Sequence, residues 1–244
     1  MEKCLVKVLN LRYEPVAVLI SNEKPEGALQ SKEGHWSCII PLFLAAVKGK
    51  TAVFERKTTG CAGGKVGLGF GQYPPNRWIE YFLSTGKNGE FEGEGYLKDP
   101  ELGKDFVECL PTTDIPYQYV IFKPLAQVDT AKEKPEVIVF YVNNDQLSAL
   151  TVLANYYKPG SENVMIPFGS GCQSVFLLPY AEAQKENPRA VVGLTDITVR
   201  SMVDPDMLSF AVPYRMFLDM EENISGSFLE KHLWQRIVDR MKKQ

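Results

Sequence analysis

Apolar residues in this chain fall in short runs rather than in one long period. Residues 15–20 and 135–142 are rich in valine and isoleucine and bounded by proline and asparagine, the pattern of strands buried on both faces. Residues 119–122, closed by Pro124, form a third such run, and residues 51–55 and 190–192 are read as two more. Helical spacing interleaves with these strands. Residues 41–47 end at Lys48-Gly49, a cation followed by a glycine stop. The pattern over 172–185 is also helical, but Pro179 sits midway and predicts a kink or two pieces. Toward the carboxyl end, Phe228, Leu229, Leu233, Trp234, Ile237, Val238 and Met241 share one helical stripe, expected to pack within the chain. Strands alternating with helices predict an α+β or α/β fold, a central mixed sheet with helices packed on it.

Two stretches repeat one pattern. The first runs through residues 15–19, Cys38, the apolar run 39–47, residues 51–54, Cys61, residues 68–70 and residues 78–83. The second runs through residues 135–139, Cys172, the run 174–183, residues 190–193, Arg200, residues 208–210 and residues 214–220. This predicts two pseudo-symmetric repeats, 1–129 and 130–244, joined at the charged turn 130–134 and forming one compact domain. Cys38 and Cys172 are then equivalent, and Cys61 lies opposite Arg200. A twofold pair of this kind brings Cys38 and Cys172 to a common seam. Residues 86–105 are dominated by Gly, Lys and Glu, too little apolar surface for a core, and are read as a solvent-facing insertion or hairpin.

Composition narrows the function classes. With 244 residues, 45% hydrophobic and 23% charged, the chain supports a buried core of ordinary make-up. A formal charge of −3 gives no electrostatic reason to expect nucleic acid or anionic lipid. No apolar run approaches the roughly 20 residues of a membrane span. Residues 1–5 lack the core of a secretory signal, so a cytoplasmic location is expected. Five cysteines, an odd number, argue against a disulfide framework.

The densest chemical signal is Gly60-Cys61-Ala62-Gly63-Gly64-Lys65-Val66-Gly67-Leu68-Gly69-Phe70-Gly71, with six glycines in twelve positions. Such a segment loses much entropy on ordering, and it lets main chain approach a ligand or another segment closely. It is one residue short of a P-loop and carries Val66 where Mg²⁺ chemistry needs Ser or Thr. The dinucleotide fingerprint is absent as well. A looser anion cradle of Gly60, Gly63, Gly64 and Lys65 remains. Cys172 follows Gly169-Ser170-Gly171 and Cys38 follows Ser37, so each is expected near a helix start that the serine caps. Three converging thiolates, Cys38, Cys61 and Cys172, suit an iron–sulfur cluster or other soft metal. His35 is a candidate fourth ligand. Cys4 and Cys109 are read as incidental, and His232 as exposed. Arg200 is a candidate for binding a carboxylate or phosphate, its bland alternative being an ion pair with Asp196 or Asp204. With two histidines, neither near a nucleophile elbow, Ser-His-Asp catalysis has no support.

At these residues the chain resembles domain of unknown function 169, the ArCR group. The resemblance lies in Pro15-Val16-Ala17-Val18, Cys38 before an apolar helix, Gly60-Cys61-Ala62-Gly63-Gly64, and Leu68-Gly69. It continues through Tyr119-Val120-Ile121-Phe122-Lys123-Pro124-Leu125, Pro135-Glu136-Val137-Ile138, Gly171-Cys172, and Arg200 with Ala211-Val212-Pro213. The family carries no assigned activity. Many relatives of this pattern carry a further cysteine shortly before the arginine, whereas residues 194–199 have none here, so a four-cysteine centre does not follow.

Three readings stand at this point. One is a cysteine-ligated iron–sulfur or soft-metal protein with a redox or accessory role and a small molecule or redox protein as partner. Another is a binding module for a small anionic or amphipathic ligand, with the glycine loop and Arg200 at a polar head. The last is a thiol-dependent enzyme with Cys61 as nucleophile. Whether the chain is an enzyme, and its oligomeric state, are left open.

Overall fold

The computed structural model describes residues 4–32, 35–74, 78–111 and 113–243. Seven strands form one sheet: β1 (Val16–Ser21), β2 (Ala52–Glu55), β3 (Tyr119–Pro124), β4 (Val137–Val142), β5 (Val164–Met165), β6 (Ala190–Gly193) and β7 (Leu208–Pro213). Among the described residues the helices are α1 (Leu5–Val8), α2 (Ile40–Val47), α3 (Ala62–Gly67), α4 (Trp78–Leu83), α5 (Pro100–Cys109), α6 (Asn144–Tyr156), α7 (Leu178–Ala183), α8 (Ile197–Arg200), α9 (Tyr214–Glu222) and α10 (His232–Met241). A π-helical turn over Gln173–Leu177 leads directly into α7. This is a mixed α/β fold.

The sheet order is β2-β3-β1-β4-β7-β6-β5. All neighbours are antiparallel except β5, which lies parallel to β6. Outward from the central β1–β4 pair, β3 then β2 lie on one side and β7 then β6 on the other. Three strands on each side thus have matching order and polarity. The segments aligned in the sequence do not all obey that match. The place equivalent to β7 is held by β3, whereas residues 68–70 form no strand and pair only through an isolated bridge from Phe70 to Asp114. The duplication is therefore not confirmed.

Why the runs become strands is plain from their two faces. Val16, Val18, Val137, Val139 and Tyr141 point to one side of the sheet, and Ala17, Leu19, Ile138, Phe140 and Val142 to the other. Both sides are buried, as near-continuous apolar runs require. One face packs on α2, Leu68, Phe70 and the π turn. The opposite face packs on α6, α9 and α10, with Leu5 and Leu9 beside them. The terminal helix docks within the chain: Trp234 donates its indole N–H to the Val8 carbonyl at 2.8 Å, and Arg240 reaches Asp145. Leu233, placed on its apolar stripe by spacing, is instead 69% exposed, because the helix begins only at His232 and that face is left to solvent.

Residues 86–105 are less detached than their composition predicts. Lys87 and Phe91 close a small hairpin, and the segment then enters α5, capped by Asp99 at the Leu102 N–H. It returns to the second half of the chain. Tyr96 Oη lies 2.5 Å from Thr198 Oγ1, and Phe106 packs on Phe168 at 4.8 Å between ring centres. No helix among the described residues is long and apolar enough to cross a membrane.

Candidate functional site

The glycine segment folds as a short helix, α3, and its glycines mark three close approaches. A Cβ at Gly60 would stand 2.8 Å from the His35 carbonyl oxygen, one at Gly64 would stand 2.9 Å from Ile39 Cγ2, and one at Gly67 would stand 2.8 Å from Cys172 Sγ. The first two bring the chain leading to Cys38 against Cys61. The third seats α3 on the residue that opens the π turn. The missing side chains let three segments meet, which accounts for the glycine density without an anion.

The three cysteines sit on the segments these contacts join. Cys61 is the N-cap of α3, and its sulfur accepts a hydrogen bond from the Gly64 N–H at 3.3 Å, the place a serine or aspartate oxygen usually takes. Cys172 is buried; its thiol donates to the Gly63 carbonyl at 3.3 Å and lies 3.0 Å from Ser170 Oγ. Gly63 therefore stands between the two, since a Cβ on it would also be 4.0 Å from Cys61 Sγ. Cys38 precedes α2, and the Ile40 and Ile39 N–H groups at that helix start favour its anionic form against burial.

Burial and one another's charge both act on these thiols. Burial pushes the Cys172 thiol up to about 12, opposed by the Ser170 hydroxyl and reinforced by the negative charges of Cys61, Cys38 and Asp196. Cys38 is also raised, first by burial, with Cys61 and Asp196 adding to it against the two N–H donors. The charges acting on these thiols are each other and one carboxylate. Among the described residues no group of three His, Cys, Asp or Glu side chains is arranged to hold a single metal ion.

Several neighbours give no sequence signal of their own. Tyr73 lies beside Gly63, with its hydroxyl 3.6 Å from where a Cβ there would be. Burial raises its pKa, and Cys172 and Cys61 raise it further. Gln173, almost fully buried, accepts from the Ser170 N–H through Oε1 at 3.0 Å and turns its amide N–H toward Tyr73 Oη at 3.5 Å. Asp196 caps two helix starts at once, accepting from the Gly171 N–H at 2.6 Å and the Val199 N–H at 3.0 Å. Its residue type at a helix start was readable; its reach across to Gly171 was not. The serines act differently from the sequence expectation. Ser37 Oγ bonds Ser31 Oγ, and Ser170 faces the Cys172 sulfur, because Asp196 and Gln173 take the capping roles there.

The π turn is pinned in place by Ser174, which donates to the Gly171 carbonyl and accepts from the Leu194 N–H. Gly193 lets β6 come directly against Ser174, where any side chain would collide with its Oγ. Turns of this kind interrupt the regular ladder and recur at functional sites.

Arg200 is spent on the scaffold. Its guanidinium donates to the carbonyls of Leu194, Asp204, Pro205 and Met207, closing the loop between α8 and β7. His35 and His232 are exposed, as is Cys109 at the end of α5, and Cys4 stands at the start of α1. Lys65 is half-buried on α3, its backbone joined to the Cys61 carbonyl.

Comparison with curated proteins finds no match, and comparison with solved structures finds none either. The model of one family does match, over residues 4–223, a span that contains all three cysteines, the glycine segment and the π turn. The chain belongs to the family described as uncharacterised ArCR, domain of unknown function 169.

Proposed function

We propose that this protein holds an iron–sulfur cluster, or another soft metal centre, through Cys38, Cys61 and Cys172, in a redox or accessory role. The observation that carries the reading is that three cysteines, far apart in sequence, act on one another electrostatically, with a polar donor beside the sulfurs of Cys61 and Cys172. Hydrogen bonds to ligating sulfurs are one of the means by which a protein tunes such centres. Burial raises Cys38 and Cys172 and keeps them as neutral thiols, so binding a soft metal here would release their protons. Three protein ligands leave one position for a small molecule or solvent.

The test is direct. Protein purified without oxygen, or reconstituted with ferrous iron and sulfide, is expected to be brown, with iron and acid-labile sulfide in stoichiometric amounts. Cys61→Ser is expected to lose most of both. Wild-type protein that stays colourless and iron-free after reconstitution refutes the proposal.

A further inference from the structure

A groove of about 280 Å³ opens between the chain following α3 and the end of α5. Val66, Val107, Leu110 and Pro111 supply apolar wall, Glu108 stands among the lining groups, and no Lys or Arg among the described residues lines it. Tyr73 belongs to this groove and also to the cysteine pocket, lying beside Gly63, which separates Cys61 from Cys172. The groove and the surroundings of Cys61 and Cys172 therefore meet at one residue.

The hydrogen-bond polarity at Tyr73 is fixed from behind. Gln173 is held with Oε1 on the Ser170 N–H, so the end that faces Tyr73 is its NH₂. The tyrosine oxygen is thus the acceptor in that contact, and its own proton is left to donate elsewhere. A ligand meeting it needs an acceptor atom. The apolar walls favour a hydrocarbon body, and Glu108, whose partner Lys104 is 3.9 Å away and itself exposed, disfavours an anion. The volume lies at the small end of ligand clefts.

We propose that this groove binds a small, uncharged, largely apolar molecule with one acceptor oxygen, such as a ketone, held by the Tyr73 hydroxyl at the edge of the cysteine pocket. The inference rests on the cysteine-centred reading for what the molecule meets there, and on the groove alone for its binding.

Cyclohexanone and cyclohexanecarboxylate, alike in size and different in charge, serve as probes in ligand-observed NMR titrations of the full chain. Cyclohexanone is expected to bind with a dissociation constant on the order of 1–10 mM, as suits so few atoms. Tyr73→Phe, which keeps the ring, should weaken it about 3- to 10-fold, the effect of one neutral hydrogen bond. Leu110→Trp should abolish binding by filling the groove, and the carboxylate should bind more weakly than the ketone. Equal binding of ketone and carboxylate, indifference to both substitutions, or no ketone binding at 100 mM or so overturns the proposal. The two readings fail separately. Iron-free protein that still binds cyclohexanone through Tyr73 removes the metal centre and keeps the groove, whereas iron-loaded protein that binds neither probe removes the groove alone.

Discussion

The seat of Cys172 on α3 allows a paired substitution whose two members should move stability in opposite directions. Gly67→Ala places a methyl 2.8 Å from both Cβ and Sγ of Cys172 and 2.9 Å from its carbonyl carbon. A sulfur could rotate away, but the backbone carbon cannot. Reaching ordinary carbon contact near 3.5 Å then requires α3 and the π turn to part by roughly 0.6 Å. Such overpacking costs about 1–3 kcal/mol, and the gain from replacing a helical glycine returns about 0.5–1 kcal/mol at most. Net destabilisation of about 1–2 kcal/mol is expected. Gly63→Ala is the control on the same helix, because its methyl would meet Tyr73 Oη at 3.6 Å and Cys61 Sγ at 4.0 Å, both ordinary contacts. It should leave stability unchanged or raise it by up to about 1 kcal/mol. Urea unfolding of the reduced, metal-free proteins reads both as shifts of midpoint at constant slope. A thiol reagent reads the site, since parting of the two elements should speed native-state labelling of Cys172 in Gly67→Ala alone. If Gly67→Ala is as stable as Gly63→Ala, with Cys172 equally slow, the described packing is wrong.

Other perturbations test the scaffold around this site. Glu182 is almost fully buried; burial alone would raise its pKa, but the bonds from Arg189 and Lys185 win and hold it below the usual carboxylate range. That stabilisation is complete above the unfolded value near 4.5 and is lost as pH falls through the lower folded value. Glu182→Gln should cost about 2 kcal/mol at neutral pH, less than a fully enclosed pair because both cations reach solvent, and the deficit should shrink in acid unfolding curves below the unfolded value. Asn143→Ala removes a reciprocal cap in which Asn143 and Gln146 each bond the other's backbone, and should lower stability by about 1 kcal/mol in urea. Arg200→Lys keeps the charge but loses the planar fork that spans four carbonyls, so it should destabilise by about 1–2 kcal/mol with iron content per folded chain unchanged. A matching loss of iron would return Arg200 to the site.

The strands were the most legible part of the chain because burial on both faces leaves long apolar runs, as in 135–142 and 119–122. The break in the 172–185 helix was readable from Pro179, yet the structure puts it earlier, in the π turn over Gln173–Leu177, where Ser174 is held by Gly171 and Leu194. The Leu194 partner comes from the chain just beyond β6, and no local pattern announces it. The glycine segment stood out as a loop for a ligand; in the structure Gly60 and Gly64 lie against residues 35–39 and Gly67 against Cys172. A sequence displays an excess of glycine but not what approaches it. Cys38, Cys61 and Cys172 were brought together from the apparent repeat and their placement before helices; the structure puts their charges within reach of one another, and among the described residues it gathers no group of three to hold a metal ion. Tyr73 and Gln173 were invisible, because a tyrosine after a glycine run and a glutamine in a helix are ordinary residues until their neighbours are known.

Crystals grown without oxygen and measured above and below the iron absorption edge give the most immediate answer about the centre. Anomalous density should lie within bonding distance of the sulfurs of residues 38, 61 and 172 and nowhere else in the molecule. Three bare thiols at that place, in protein reconstituted with iron and sulfide, would contradict the account.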